Sequence, residues 1–115
     1  MQKTVFFAFR GDPLCFVHVL LNALDMDGRG LAARIVMEGE AVQLVGALES
    51  EDNAFHGLWA QARGKGLVAG ACRACSAKLG ATAAVEAAGL PFLDDMKGHP
   101  SMQGGREQGY EVLIF

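Results

Sequence analysis

Cys72 and Cys75, one helical turn apart in Gly70-Ala71-Cys72-Arg73-Ala74-Cys75, are the residues of this chain best suited to do chemistry. They follow the apolar run Leu67–Ala71 and open a helix-like stretch, which puts a thiol where a strand ends and a helix begins. Unpaired backbone N–H groups and the helix dipole favour a thiolate there, and can bring a cysteine pKa from ~8.5 down to ~3.5–7.5. Sulfur chemistry is the leading expectation. In it Cys72 is the nucleophile, Arg73 adds positive charge beside it, and Cys75 is the resolving thiol that can close a Cys72–Cys75 disulfide.

The other candidates have ordinary explanations beside their chemical ones. Cys15 lies in the first turn after the first strand and belongs to no motif, so packing explains it. A zinc site needs donors beyond the cysteine pair, and Cys15, His56 and His99 stand at no recognised spacing, so no metal is expected. His56 and His99 read as exposed structural residues, and His18, among Val17, Val19 and Leu20, as packed within its helix. Asp12 is accounted for by helix capping. Glu38 ends a strand before Gly39, where it can bond loop backbone or a neighbouring subunit, or take a proton near Cys72. Asp94 and Asp95 read as a solvated pair, since adjacent side chains point apart. Gly64-Lys65-Gly66 precedes a strand instead of following one and lacks the phosphate-loop spacing, so no nucleotide cofactor is expected.

The elements that must position these groups alternate. Thr4–Phe9 reads as a strand buried on both faces, closed by Arg10-Gly11-Asp12-Pro13. Asp12 as N-cap and Pro13 at the first position then start a helix with the stripe Leu14, Val17, Leu20, Leu21 and Leu24. Leu31–Met37 is a second strand, followed by a helical pattern through Ala41, Val42, Leu44, Val45 and Leu48. Asn53 caps a third helix whose core stripe is Phe55, Leu58, Trp59 and Ala62. Leu67–Ala71 is the third strand, and the stretch Cys75–Ala88, split by Gly80, is one broken helix or two short ones. Leu90–Leu93 is a short fourth strand, Pro100 starts a last helix, and Tyr110–Phe115 closes the chain as a strand. This order predicts one three-layer α/β/α domain over residues 1–115, around a mostly parallel sheet of about five strands. Ligands bind such folds outside the carboxyl ends of the strands, the edge to which Arg10, Asp12, Cys15, Glu38, Cys72, Asp94, Asp95 and His99 are assigned.

Bulk properties narrow the function classes. A chain of 115 residues with 51% hydrophobic content can bury a core without staples. Ten basic residues scattered among 13 acidic ones, for a net charge of −3, leave no basic stripe, so nucleic acid is not expected as a partner. No apolar run is long enough to cross a membrane, and the N-terminus does not read as a signal peptide. The expected location is the cytoplasm, where three cysteines stay free, reactive or metal-bound.

Taken in order, Phe9-Arg10-Gly11-Asp12-Pro13, Val36-Met37-Glu38-Gly39, the Gly70–Cys75 segment and Gly109-Tyr110-Glu111-Val112 resemble the DsrE/DsrF-like family of small cytoplasmic sulfur-handling proteins. The resemblance spans nearly the whole chain. It implies a five-stranded α/β/α domain that forms oligomers, here expected to be homo-oligomers. It also implies a sulfurtransferase or sulfur carrier in which Cys72 takes sulfane sulfur as a persulfide, Cys75 assists, and sulfur donor and acceptor proteins or small sulfur compounds are the partners. Cys75 is not shared by all sulfur-relay members. Thiol–disulfide exchange through the Cys72/Cys75 pair, and a non-catalytic oligomeric ligand-binding module, therefore stand as the alternatives.

Overall fold

The computed structural model describes residues 1–115 and contains five strands, β1 (Lys3–Ala8), β2 (Ala32–Met37), β3 (Val68–Cys72), β4 (Phe92–Leu93) and β5 (Glu111–Ile114). Six helices join them: α1 (Pro13–Gly28), α2 (Leu44–Glu49), α3 (His56–Gly64), α4 (Arg73–Lys78), α5 (Thr82–Ala87) and α6 (Met102–Glu107). A 3-10 turn, Gly39–Gln43, leads into α2. The sheet is parallel throughout, in the order β4-β3-β2-β1-β5. The expected three-layer α/β/α architecture is therefore present.

Side-chain alternation divides the strands between two unequal layers. Phe6 and Ala8 of β1 and Ile35 and Met37 of β2 face a core of 24 buried residues shared with α1, α2, α3 and α5. Val5, Phe7 and Val36 face the other way, where only partly buried side chains such as Met102, Tyr110 and Val112 cover them. Connectivity explains the imbalance. The crossovers from β1 to β2, β3 and β4 all step one way across the sheet, and right-handed crossovers place all their helices on one face. The return from β4 to β5 runs the opposite way and leaves α6 alone on the second face.

Local chemistry starts and stops the elements much as expected. Asp12 Oδ1 accepts the Leu14 N–H at 2.9 Å and Pro13 opens α1. Trp59 is fully buried, with Phe55 and Leu58 packed against the same core. Four expectations need correction. The buried stripe of α1 is Phe16, Val19, Leu20 and Ala23, while Leu14 is 67% and Leu21 47% exposed. His18 is exposed too. This helix is apolar on more than one face, so periodicity alone does not select which stripe meets the sheet. Asn53 does not cap α3 directly: its Oδ1 takes the Phe55 N–H at 2.8 Å in the turn before the helix. The last helix begins at Met102, capped by Ser101, whose Oγ accepts the Gly104 N–H at 3.0 Å.

Candidate functional site

β3 and β4 are neighbours whose outgoing segments diverge, that of β3 to α4 on the crowded face and that of β4 toward α6 on the open face. Such a divergence opens a crevice at the carboxyl ends of the two strands. Cys72 is the last residue of β3 and pairs in register with Leu93, the last residue of β4. A register shift between Val68 and Gly70 puts Ala71 opposite Met37 of β2, so Glu38 and Cys72 each lie one residue beyond that pair. Gly70 is required here. At φ +155° an added Cβ would stand 2.5 Å from Pro91 O, a carbonyl on the chain entering β4.

The segment after β4 carries the third member of the site. Met96 and His99 exchange backbone hydrogen bonds of 2.7 and 3.0 Å across a two-residue turn in which Lys97 and Gly98 both have positive φ, 51° and 90°. Tight antiparallel turns demand that conformation, which glycine adopts freely and lysine only at a cost of ~1–3 kcal/mol. Further ties hold the turn over the dithiol. Gly98 O accepts the Ala74 N–H at 2.9 Å, Arg73 Nε donates to Asp94 at 2.8 Å, and Asp95 accepts the Ser101 N–H at 3.0 Å. The two aspartates are exposed and serve different partners, as expected of adjacent carboxylates.

Held this way, His99 Nδ1 lies 3.2 Å from Cys72 Sγ and 3.9 Å from Cys75 Sγ. All three atoms fall within 4.8 Å of one another. Cys72 Sγ also accepts the Cys75 N–H at 3.4 Å as the N-cap of α4, and reaches Gly98 O at 3.6 Å. His99 is half-buried, contrary to its expected exposure. No local pattern announces its approach, since it stands 27 residues from Cys72 in sequence. The one available signal was its assignment to the carboxyl edge. His56, also expected to be exposed, is half-buried and bonds Leu48 O at 2.8 Å, away from the thiols.

The electrostatics reverse the expected state of Cys72. Its thiol is pushed up to about 11. Burial is the largest cause, opposed by the Cys75 N–H and reinforced by the Cys75 thiol and the Glu38 charge. α4 has only six residues, so its dipole is too small to overcome burial of a fully enclosed sulfur. Arg73 does not help, because it is exposed, stacks on Phe92 at 4.8 Å and is neutralised by Asp94. Cys75 is half-buried and is the more accessible of the two sulfurs. Glu38 is 5% exposed, its Oε2 has no hydrogen-bond partner, and burial raises its carboxyl to about 7.

The remaining sequence candidates stay apart from this cluster. Cys15 lines a small cavity with Phe16 and Phe115, and its Sγ lies 3.8 Å from Asp12 Oδ2. A cavity of about 240 Å³ lies under α6 on the open face, lined by Phe7, Arg34, Asp95, Gln108 and Tyr110 among others, and neither Cys72 nor Cys75 lines it. No helix is long and apolar enough to cross a membrane. What the dithiol–imidazole arrangement can do is move a proton between sulfur and nitrogen, join two sulfurs, or coordinate a soft cation. Comparison of the chain with protein-family models, curated proteins and solved structures gives no match, so its functional reading rests on the geometry of these residues.

Proposed function

We propose that the protein accepts and transfers sulfane sulfur at the Cys72/Cys75 pair, as a DsrE/DsrF-like sulfur carrier would. The observation that supports this reading is the convergence of both sulfurs on His99 Nδ1 at the carboxyl edge of the sheet. Burial exchanges the tasks expected from the sequence, in which Cys72 carries the persulfide and Cys75 assists, because Cys72 is enclosed and Cys75 is the more exposed sulfur. Cys75, the more accessible sulfur, attacks the terminal sulfur of a donor persulfide. A Cys75 S–S bond forms, the donor's S–S bond breaks, and the donor leaves as its thiolate. An acceptor thiolate then removes the outer sulfur and returns Cys75 to the thiolate. Without an acceptor, the Cys72 proton passes to His99 and the Cys72 sulfur attacks Cys75 Sγ, forming the Cys72–Cys75 disulfide and expelling hydrosulfide. Sulfane sulfur is the oxidant in that step, so no other is needed.

Brief exposure of the reduced protein to polysulfide, followed by peptide mass spectrometry, tests the reading. The expected result is added sulfur on Cys75 in the Cys72→Ser variant, and a Cys72–Cys75 disulfide with released sulfide in the wild type. A disulfide formed by small disulfides but never by polysulfide would favour thiol–disulfide exchange instead. Thiols inert to both reagents would sink both chemical readings. Self-association, which the same resemblance implies, is read by light scattering on the intact chain.

A further inference from the structure

We propose that Cys72 Sγ, Cys75 Sγ and His99 Nδ1 form a zinc-binding site that closes the dithiol when occupied. The inference stands on the placement of the three donors and not on the sulfur-transfer reading.

Donor type and spacing both point to zinc. Two thiolates and an imidazole are a soft, borderline set of the kind that selects zinc over calcium or magnesium. Tetrahedral zinc with bonds of ~2.3 Å to sulfur and ~2.0 Å to nitrogen holds sulfur and nitrogen about 3.5 Å apart. The sulfur–nitrogen distances here, 3.2 and 3.9 Å, straddle that value, and no pair of the three donor atoms exceeds 4.8 Å. The two sulfurs, which lie within 4.8 Å, close toward the ~3.8 Å of a tetrahedral site by a movement of at most about 1 Å, which the half-buried Cys75 side chain supplies.

Two independent features support it. The turn carrying His99 is built in advance, with Lys97 at φ 51° and both ends bonded to the β3–α4 junction, so binding does not have to order a loop. An added Cβ on Gly98 would approach Ala74 Cβ at 3.3 Å, which shows how closely the turn is pressed to α4. The second feature is Glu38. It lies next to Cys72 across the β2–β3 register, and its buried Oε2 has no partner in the protein. A buried polar atom left unpartnered is costly, and its position one residue beyond the β2–β3 pair sets that cost beside the dithiol, where packing alone does not account for it.

Three protein donors leave a fourth position for water, a carboxylate or an exogenous thiol. Zinc on both sulfurs withholds them from electrophilic sulfur, so occupancy would govern whether the thiols react.

Cobalt(II) and zinc titrations of the reduced full-length chain test the site. Cobalt is expected to give a near-ultraviolet thiolate-to-metal band and visible bands of tetrahedral intensity at one equivalent, displaced by zinc. His99→Ala and Cys75→Ser should weaken zinc by more than the ~10–100-fold typical of losing an outer-shell partner, while Cys15→Ser binds as the wild type does. His99 lies on a surface turn, so its variant tests the claim even if Cys72→Ser folds poorly. Absence of the charge-transfer band, a spectrum unchanged by His99→Ala, or equal loss in Cys15→Ser overturns the proposal. Metal binding by a protein whose thiols ignore polysulfide would retire the sulfur-transfer reading alone; sulfur transfer without the cobalt spectrum would retire the zinc site alone.

Discussion

β1 and β3 each run through a capping residue into a helix with a cysteine in its first turn, but the cap is the carboxylate of Asp12 in one case and the thiol of Cys72 in the other. After β1, Asp12 and Pro13 are among the best residues for starting a helix, α1 runs for 16 residues, and Cys15 lines a small cavity with Phe16. After β3, the capping bond is a 3.4 Å contact to sulfur, a weak acceptor, and the helix lasts six residues. Beside it lie a carboxylate oxygen without a partner and a lysine with positive φ. Stability is served at the first junction, whereas the second keeps a weak cap, an unpartnered carboxylate oxygen and a strained turn that add nothing to it. Backbone strain beside an unpaired buried polar group is the combination on which the proposed site rests.

The largest expected difference between the junctions is chemical. Cys15→Ser should leave polysulfide-driven disulfide formation within about twofold of wild type, whereas Cys72→Ser or Cys75→Ser abolishes it; equal effects at the two junctions would erase the distinction. Quantitative thiol labelling before and after polysulfide reads this directly.

Next comes the pH dependence of stability, measured by urea unfolding with a metal chelator present. Glu38 binds its proton more tightly folded, at about 7, than at its ordinary 4.5. Its contribution is therefore complete below about pH 4.5 and is lost as pH rises through 7, a fall of roughly 3 kcal/mol at most. Glu38→Gln should flatten that fall. A profile equally steep in the variant would show that the fall does not come from the buried Glu38 carboxyl beside the dithiol.

Asp12→Ala should cost about 1 kcal/mol through loss of its cap, seen as a lower urea midpoint with the slope unchanged. The smallest effect is at the turn. Lys97→Gly should raise stability by up to about 1 kcal/mol, since glycine adopts that backbone without strain, and should leave the dithiol chemistry in place. A loss of stability there would mean that the lysine side chain does more than tolerate its position.

Much of the frame was legible because its signals are local. Continuous apolar runs marked β1, β2, β3 and β5, and Asp12-Pro13 marked the start of α1. Gly80 fell where α4 and α5 separate. Strand–helix alternation with short connections then limited the architecture to a parallel sheet between helices, and the motif order placed Cys72 at its carboxyl edge. The cysteine pair itself was legible as the reactive candidate, although its electrostatic state was not.

Residue types and their local spacing thus determined the elements, their order, the capping of α1 and the presence of a dithiol at a strand end. Tertiary structure alone decided that the return from β4 to β5 would separate the segments leaving β3 and β4 and open a crevice there. It also brought His99 against sulfurs 24 and 27 residues earlier, enclosed Cys72 so that desolvation outweighed a short helix's dipole, turned Arg73 away to Asp94, and chose Phe16, Val19, Leu20 and Ala23 as the inner face of α1. The reason is that periodicity and capping depend on neighbours along the chain, while burial, charge state and ligand geometry depend on neighbours in space, which exist only once the crossovers have closed the sheet.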